Sequence, residues 1–273
     1  RRLRKARLNT RSFILILIFA AAFLSSRESS AQQNHFDAGE ELSYEVFYHL
    51  WGMWVGAGSV TFSIQEEIFR GQNCFRFQGF GKTHKRYDWF FEVRDTYSAY
   101  SAIDGLKPQR FTRDVNEGSF YFYEQNLYDH SSQKIYSVLK EKERPIKVDT
   151  VQLIDGSFDV LTMMYHYRNL DFDSYEIGQR IPIKMVIDRE THDLYLKYLG
   201  RDTYDHDEFG ELQCHVIAPL LVAGSIFREG ERMKVWFTAD QNRIPIYVET
   251  DIRIGSIRSE IKKIKGLKYP LGG

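Results

Sequence analysis

The residues with the most evident binding chemistry are Trp51 and Trp54, in a glycine-rich stretch that runs from Trp51 to Gly58. Two indole rings this close can line a binding groove or stack on sugar rings. The same rings can instead cover a hairpin turn. The stretch lacks the lysine and following helix of a phosphate-binding loop. Trp51 and Trp54 are therefore the candidate ligand-binding residues.

A second candidate site is an acidic cluster with one imidazole, between the apolar runs 194–199 and 212–216. Carboxylate oxygens beside an imidazole are typical metal ligands, but a polar hairpin loop is expected here for reasons of turn formation alone. We predict no metal site at this cluster. Its members are Asp202, Asp205, His206, Asp207 and Glu208.

Motifs of the common catalytic classes are missing from the sequence. No serine has glycine at both positions two residues away, and there is no zinc-protease, phosphate-loop or dinucleotide-binding pattern. The sequence assigns no catalytic residue and no cofactor. A hydrolase whose residues are dispersed along the chain stays open, because carboxylate pairs are recognised only from their distances in space.

The two cysteines, Cys74 and Cys214, have neither metal-binding nor redox-motif spacing. In an exported chain they could form a disulfide that closes a long loop. However, Leu212, Cys214 and Val216 alternate onto one face of a predicted strand, which favours a buried free thiol. Both alternatives stay open.

The composition is that of a globular chain with many aromatic residues. Of 273 residues, 43% are hydrophobic, 27% are charged and 15% are aromatic, which excludes disordered, collagen-like and disulfide-scaffold classes. Aromatic side chains favour strands.

The first 31 residues are predicted to form a secretory signal peptide. Six of the first eleven residues are basic, the run 13–24 is apolar, and Ser29-Ser30-Ala31 precedes Gln32. The apolar run is shorter than the roughly 20 residues that span a bilayer; a retained anchor is the alternative. No cysteine lies near the cleavage point, so the leader is not that of a lipoprotein. We expect a periplasmic or secreted protein with no transmembrane segment in the mature chain.

Removing this leader takes away seven of the 37 basic residues and one of the 37 acidic residues. The remaining chain is mildly acidic. It lacks the excess of lysine and arginine that neutralises phosphates, so we expect no nucleic-acid partner.

Residues 32–273 are predicted to be one antiparallel β domain of about a dozen strands. Apolar and polar residues alternate along segments such as 42–48, 60–65 and 244–250, which is typical of antiparallel sheets with one packed face. One segment, Phe158–Arg168, has helical spacing, with Ser157 as the expected N-cap. The tail 257–264 fits either a strand or a helix.

Five Gly-Ser pairs are interpreted as turn signals, since glycine supplies the positive φ that turns require. The glycines are Gly58, Gly118, Gly156, Gly224 and Gly255.

The segment 235–249 is predicted to be a hairpin with its turn at Asp240-Gln241-Asn242. Asp240 and Arg243 are expected to form an ion pair that fixes the turn. Pro245 must lie at a sheet edge or at a strand start, because it cannot donate to a ladder. These three residues are interpreted as structural and not catalytic.

Two stretches carry a family resemblance. The first is 91–98 followed by 106–111, Arg113 and Glu117-Gly118, and the second and more specific is 235–249 followed by Gly255-Ser256. Together with the helical segment, they resemble the domain of unknown function 3108 (DUF3108) family of exported bacterial envelope proteins, over roughly residues 39–264. The resemblance implies a largely antiparallel β domain, with a curved sheet or partly closed barrel, in the periplasm of Gram-negative bacteria. The family offers no enzymatic activity to carry over.

The sequence favours a non-catalytic binding or carrier protein, because a curved sheet rich in aromatic residues offers a concave apolar surface. The expected ligand is an amphiphile, a lipid or a glycan. The alternatives are an envelope assembly or scaffold protein with a protein partner, and a hydrolase.

Overall fold

The computed structural model describes residues 34–50, 52–89, 92–220, 233–251 and 255–272. The expected signal peptide and Trp51 lie outside the described residues. Residues 33–273 form one compact unit. Within the described ranges, no helix is both long enough and apolar enough to cross a membrane.

This unit consists of strands with one α-helix and two short 3₁₀ turns among the described residues. The strands are β1 Glu41–Leu50, β2 Met53–Phe69, β3 Gln72–Thr83, β4 Arg94–Ala102, β5 Pro108–Glu117, β6 Phe120–Asp129, β7 Lys134–Glu141, β8 Lys147–Gln152, β9 Ser157–Phe158, β10 Arg180–Ile187, β11 Glu190–His206, β12 Gly210–Pro219, β13 Met233–Thr238, β14 Pro245–Asp251 and β15 Ser256–Lys265. The helix α1 is Val160–Arg168, and the 3₁₀ turns are Lys85–Tyr87 and Phe172–Ser174.

All fifteen strands belong to one sheet. Their spatial order is β8 to β1 in descending number, followed by β15 to β9 in descending number, so that β1 pairs with β15. Neighbouring strands are antiparallel except β9 and β10. The sheet is not closed, since β8 and β9 stand at its two ends. The prediction of a β-rich chain with one main helix and a large antiparallel sheet is confirmed.

The sheet curls far enough to bring distant strands together. Arg189, in the turn between β10 and β11, lies 3.3 Å from a carboxylate oxygen of Asp149 on β8. These elements lie near opposite ends of the strand order. A flat sheet would separate them by many strand spacings of about 4.8 Å, so the sheet forms a partly closed barrel.

The helix begins two residues later than predicted, and its N-cap is Asp159. The Asp159 carboxylate accepts hydrogen bonds from the backbone N–H groups of Leu161 and Thr162. Ser157 cannot cap the helix, because it lies in β9 and its hydroxyl donates to the carbonyl of Ile154. The predicted end of the helix by Asn169 is confirmed.

The ambiguous tail is strand β15, and a β-bulge explains its helix-like spacing. Tyr44 pairs with Ile261 while Ser43 pairs with Lys263, so Lys262 is an extra residue. The bulge breaks strict alternation. The bulge lets the side chains of Ile261 and Ile264 both point toward the core, whereas in a regular strand they would point to opposite faces of the sheet.

Gly58 lies inside β2 and not in a turn, so this turn prediction is wrong. A Cβ atom at Gly58 would lie 2.3 Å from the carbonyl oxygen of Lys82, and the glycine therefore permits close approach of β3. Gly118, Gly156 and Gly255 have the positive φ of turn glycines. Gly224 lies outside the described residues.

Both cysteines are buried and free. Burial raises the pKa of Cys74. Burial and the nearby Asp202 carboxylate raise the pKa of Cys214 to about 12. The structure thus shows the buried-thiol alternative and not the disulfide.

Candidate functional site

The face of the sheet that surrounds α1 is filled by side chains. Tyr165 of α1 stacks on Phe77 with ring centroids 4.1 Å apart, and Phe36 meets the same tyrosine ring edge-on at 5.0 Å. All three residues are buried. The helix therefore occupies the concave surface that the aromatic composition offers as a ligand site.

A buried ion pair ties α1 to the sheet. The Arg168 guanidinium donates to both carboxylate oxygens of Glu40, and it also donates to the Asn242 carbonyl. Arg168 and Glu40 are each 1% exposed. Because both charges are satisfied within the protein, this network supports structure and leaves no group free for a ligand.

The turn between β13 and β14 holds the three residues interpreted as structural. Asp240 accepts hydrogen bonds from the Thr238 hydroxyl and from the backbone N–H groups of Asn242 and Arg243. Pro245 is the first residue of β14.

The expected ion pair between the side chains of Asp240 and Arg243 does not form. The Arg243 guanidinium donates instead to the Leu170 carbonyl and lies 3.9 Å from Asp171. Arg243 has a φ of 47°, and its side chain reaches the segment that follows α1. Asp240 fixes the turn through backbone amides and not through charge pairing.

The opposite face of the sheet carries a row of aromatic side chains, which we call the aromatic face: Phe47, Trp54, Tyr204, Trp236 and Tyr247. Directly paired residues on neighbouring strands point to the same side. Tyr247 pairs with Glu260 and with Trp236, and Glu260 pairs with Glu45.

Glu45 and Phe47 alternate along β1 with Leu42 and Tyr44, which are buried in the core. The aromatic face therefore points away from α1.

Ring contacts join the members of the aromatic face into two groups. Tyr247 stacks on Tyr204 at 4.9 Å and meets Trp236 edge-on at 5.1 Å. In the other group, the Arg258 guanidinium lies 4.7 Å from the centroid of Phe47 and 4.6 Å from that of Trp54. Trp54 is 39% exposed. Trp236 is buried and packs with Tyr204 and Tyr247 in a hydrophobic cluster, so the open surface of the aromatic face lies at Phe47 and Trp54.

Between β11 and β15 the sheet curls toward the aromatic face, in the opposite direction to the curl that surrounds α1. Tyr204 and Glu260 lie four strand positions apart, which is about 19 Å across a flat sheet. Yet the Tyr204 hydroxyl donates to Glu260 Oε1 at 2.7 Å. The sheet must therefore curl toward this face here, and the curl gathers Tyr204, Trp236 and Tyr247 into a hydrophobic cluster with Leu212 and Cys214.

The carboxylates of the aromatic face are suited to accepting hydrogen bonds. Burial acts to raise the pKa of Glu260, but hydrogen bonds from Lys262 and Tyr204 outweigh it, and the pKa is lowered. Glu260 therefore stays ionised, so it accepts hydrogen bonds and does not serve as the proton-donating acid of a glycosidase. Glu45 lies 2.6 Å from His84 Nε2.

Carboxyl groups with raised pKa lie elsewhere. Burial raises the pKa of Asp95 and of Glu117, which hydrogen-bond to each other near the ends of β4 and β5. Neither carboxyl group belongs to the aromatic face.

The acidic cluster 202–208 does not gather into a metal site. Asp202 accepts a hydrogen bond from the indole N–H of Trp236. His206 accepts from the backbone N–H groups of Glu208 and Phe209 and bonds to the Ile261 carbonyl. Across the described ranges, no three histidine, cysteine or carboxylate side chains form a metal-binding group.

Of the two tryptophans singled out by sequence, Trp54 lies on the aromatic face and Trp51 lies outside the described residues. Sequence reasoning missed Phe47, Tyr204, Tyr247 and Arg258. Phe47 carried a usable signal, because it occupies a wet-face position of β1, in phase with Glu41, Ser43 and Glu45. Contiguous exposed apolar patches are typical of binding surfaces, whereas single exposed aromatic residues are common, so Phe47 gains meaning only beside Trp54.

Comparisons with known proteins agree with this architecture. A family model described as a protein of unknown function (DUF3108) matches residues 43–262. A solved structure titled as a beta-barrel-like protein of domain of unknown function DUF1849 from Brucella abortus is similar, with a TM-score of 0.54 and 10% sequence identity. The similarity covers 85% of this chain and 98% of that chain. At this identity the similarity shows the fold alone. No curated protein matches the chain.

Proposed function

The chain belongs to the DUF3108 family, and from that premise we propose that it is an exported cell-envelope protein that binds a glycan on the aromatic face without converting it. Export is supported by the basic and apolar leader in residues 1–31. The binding role is supported by the geometry of the aromatic face.

The observation that carries the proposal is that the partly exposed rings of Phe47 and Trp54 lie on the same face of the sheet as the carboxylates of Glu45 and Glu260. The C–H faces of sugar rings pack on aromatic rings, and sugar hydroxyls donate to carboxylates. Trp54 and Phe47 supply rings, and Glu45 and Glu260 supply acceptors. Among the ligand classes expected from sequence, this surface matches a glycan better than a lipid or amphiphile, since an apolar ligand needs the enclosed space that α1 fills.

A glycan that binds to the aromatic face should dissociate without being cleaved. Cleavage of a glycosidic bond requires a carboxylic acid that still holds its proton near neutral pH. The hydrogen bonds from Lys262 and Tyr204 keep Glu260 ionised, so the aromatic face supports binding and not hydrolysis.

The proposal is tested by affinity electrophoresis of the purified protein in gels that contain soluble polysaccharides, both neutral and acidic. Trp54→Ala should weaken binding about fivefold to tenfold, since it removes one stacking ring. Phe80 on β3 is a matched control, because it is 41% exposed and points to the same side of the sheet, but pairs with Thr61, which is seven residues from Trp54 along β2. Phe80→Ala should bind like the wild type, and mass spectrometry should recover the glycan intact.

Two results would contradict the proposal. One is that no polysaccharide retards the wild-type protein. The other is that the glycan is shortened during incubation and a single carboxylate substitution abolishes the shortening.

Export is tested separately by expression in a Gram-negative host. N-terminal sequencing of the periplasmic fraction should give a chain that begins near Gln32. Recovery of the arginine-rich residues 1–11 in a membrane fraction would instead support the retained anchor.

A second candidate function, an envelope assembly protein with a protein partner, is favoured by strand β8. Within the described part of the chain, β8 pairs only with β7, so one side of its backbone is free to add a partner strand. Val148 on this strand is 75% exposed and the preceding Ile146 is 60% exposed. Val148→Pro would block strand addition, and capture of an envelope protein by the wild type but not by this variant would support the candidate. Capture by both would reject it.

A further inference from the structure

Arg258 is a cation of the sheet surface that has no anionic partner among the residues that the structure describes. Its guanidinium rests on the rings of Phe47 and Trp54, and its buried Nε has no hydrogen-bond partner. No carboxylate in the described residues lies within ion-pair distance of it. An arginine in this setting presents its remaining N–H groups to whatever binds over the two rings.

The carboxylates nearest to Arg258 along the sheet are already engaged. Glu249, which pairs with Arg258 across the strands, lies 3.5 Å from the Lys234 ammonium. Glu260 accepts from the Lys262 ammonium at 2.7 Å. The protein thus neutralises the neighbouring acids and leaves the guanidinium of Arg258 unpaired.

The guanidinium of Arg86 is also unpaired among the described residues, and it lies on the other side of Phe47 from Arg258. Arg86 is exposed, and its Nη2 donates to the Gly56 carbonyl at 3.0 Å. No ion pair joins it to a carboxylate in the described ranges. Gly56 pairs with Phe47, and Phe47 pairs with Arg258. The two arginines therefore flank Phe47, separated by about two strand spacings, or about 10 Å.

Two unpaired guanidinium groups beside stacking rings define the charge of the ligand. The planar fork of arginine matches carboxylates and phosphates, which it binds with two parallel hydrogen bonds. We infer that the aromatic face binds an acidic glycan, whose sugar rings pack on Phe47 and Trp54 and whose carboxylate or phosphate groups bind Arg258 and Arg86. This inference rests on the proposed function and adds the chemical class of the ligand.

The test compares glycans that differ in charge alone. Calorimetric titration of the wild-type protein with oligogalacturonate and with its methyl ester should show about tenfold or tighter binding of the acidic form. A maltooligosaccharide with and without phosphate esters distinguishes phosphate from carboxylate as the preferred group. Binding of the acidic form should weaken as the salt concentration rises.

Variants locate the charge effect. Arg258→Gln should remove the preference for the acidic glycan while the methyl ester binds as before, and Arg258→Lys should restore part of it. Arg110 is a matched control, because its guanidinium also rests on two rings, those of Phe69 and Tyr100, at a different place on the sheet. Arg110→Gln should change the affinity for the acidic glycan by less than about twofold.

The outcomes separate this inference from the proposed function. Equal affinity for acidic and esterified glycans, with loss of both in Trp54→Ala, would overturn the inference and keep the proposed function. No binding of any of these glycans would overturn both. Binding to phosphatidylglycerol vesicles in place of the glycans would also overturn both, because the anion would then belong to a lipid.

Discussion

At the scale of single residues, Asp159 links ionisation to folding. Burial raises its pKa to about 6 from an ordinary value of 3.8, although backbone and hydroxyl donors partly oppose the shift. Well below pH 3.8 the carboxyl is protonated in both the folded and the unfolded chain. Between pH 4 and pH 6 the unfolded chain binds fewer protons, so the free energy of unfolding falls as pH rises.

We therefore predict that Asp159→Asn flattens this part of the stability profile. Asparagine caps a helix well and does not ionise, so the fall between pH 4 and pH 6 should shrink by on the order of 3 kcal/mol. Urea unfolding across this range measures the change. Parallel profiles for the two proteins would show that Asp159 titrates normally in the folded state. Thr162→Val, which removes the hydroxyl donor, should enlarge the fall.

Asp240 is predicted to matter for stability and not for binding. Its carboxylate accepts from three groups of its own turn and from the Gly272 backbone N–H. Asp240→Ala should lower the free energy of unfolding by about 2 kcal/mol, and Arg243→Ala by about 1 kcal/mol because it loses the bond to Leu170. Both variants, while folded, should bind glycan like the wild type. Loss of binding at an unchanged melting temperature would assign the turn to the site.

At the scale of elements, the close approach of β2 and β3 depends on Gly58. A Cβ atom would lie 2.3 Å from the Lys82 carbonyl oxygen, which is backbone and cannot move aside easily. Gly58→Ala should cost more than about 2 kcal/mol in a urea titration. Gly81→Ala on β3 is the matched control, since its Cβ would meet only Val60 at an ordinary 3.8 Å. Equal effects of the two substitutions would contradict the account of Gly58.

Local sequence patterns predicted the elements well where strands alternate regularly. The strand of 244–250, the hairpin turn at Asp240 and the single helix follow from apolar spacing and turn chemistry. The predicted N-cap was two residues too early. Ser157 belongs to strand β9, and β9 forms only because it pairs with β10, which local sequence does not reveal. The tail was ambiguous because Lys262 bulges, and a bulge depends on the partner strand β1.

The candidate site could be predicted only in part. Trp54 is recognisable as a candidate from residue type, but its partner Arg258 lies about two hundred positions away in sequence. Tyr204 and Glu260 meet only because the sheet curls, and no local pattern encodes that curl. The filling of the other face by α1 likewise depends on long-range packing of Tyr165 against Phe77.

At the scale of the whole molecule, the sheet is continuous and should unfold as one unit. The fifteen strands form one hydrogen-bonded sheet, and the buried ion pair of Arg168 and Glu40 joins α1 to the segment before β1. We predict a single thermal transition that has the same midpoint by far-UV circular dichroism and by tryptophan fluorescence. Two separated transitions would contradict this cooperative unit. Glu40→Ala, which leaves Arg168 buried without its carboxylate, should keep one transition and lower the free energy of unfolding by about 3 kcal/mol or more.

The aromatic face is proposed to be the binding surface of the molecule, and its ligand is expected to dissociate intact. A crystal structure of the protein with a bound acidic oligosaccharide tests this most directly. We predict sugar rings on Phe47 and Trp54, an acidic group on Arg258, and unbroken linkages. An oligosaccharide bound on the α1 side of the sheet would show that the aromatic face is not the binding surface. An oligosaccharide cleaved within the crystal would show that the protein converts its ligand.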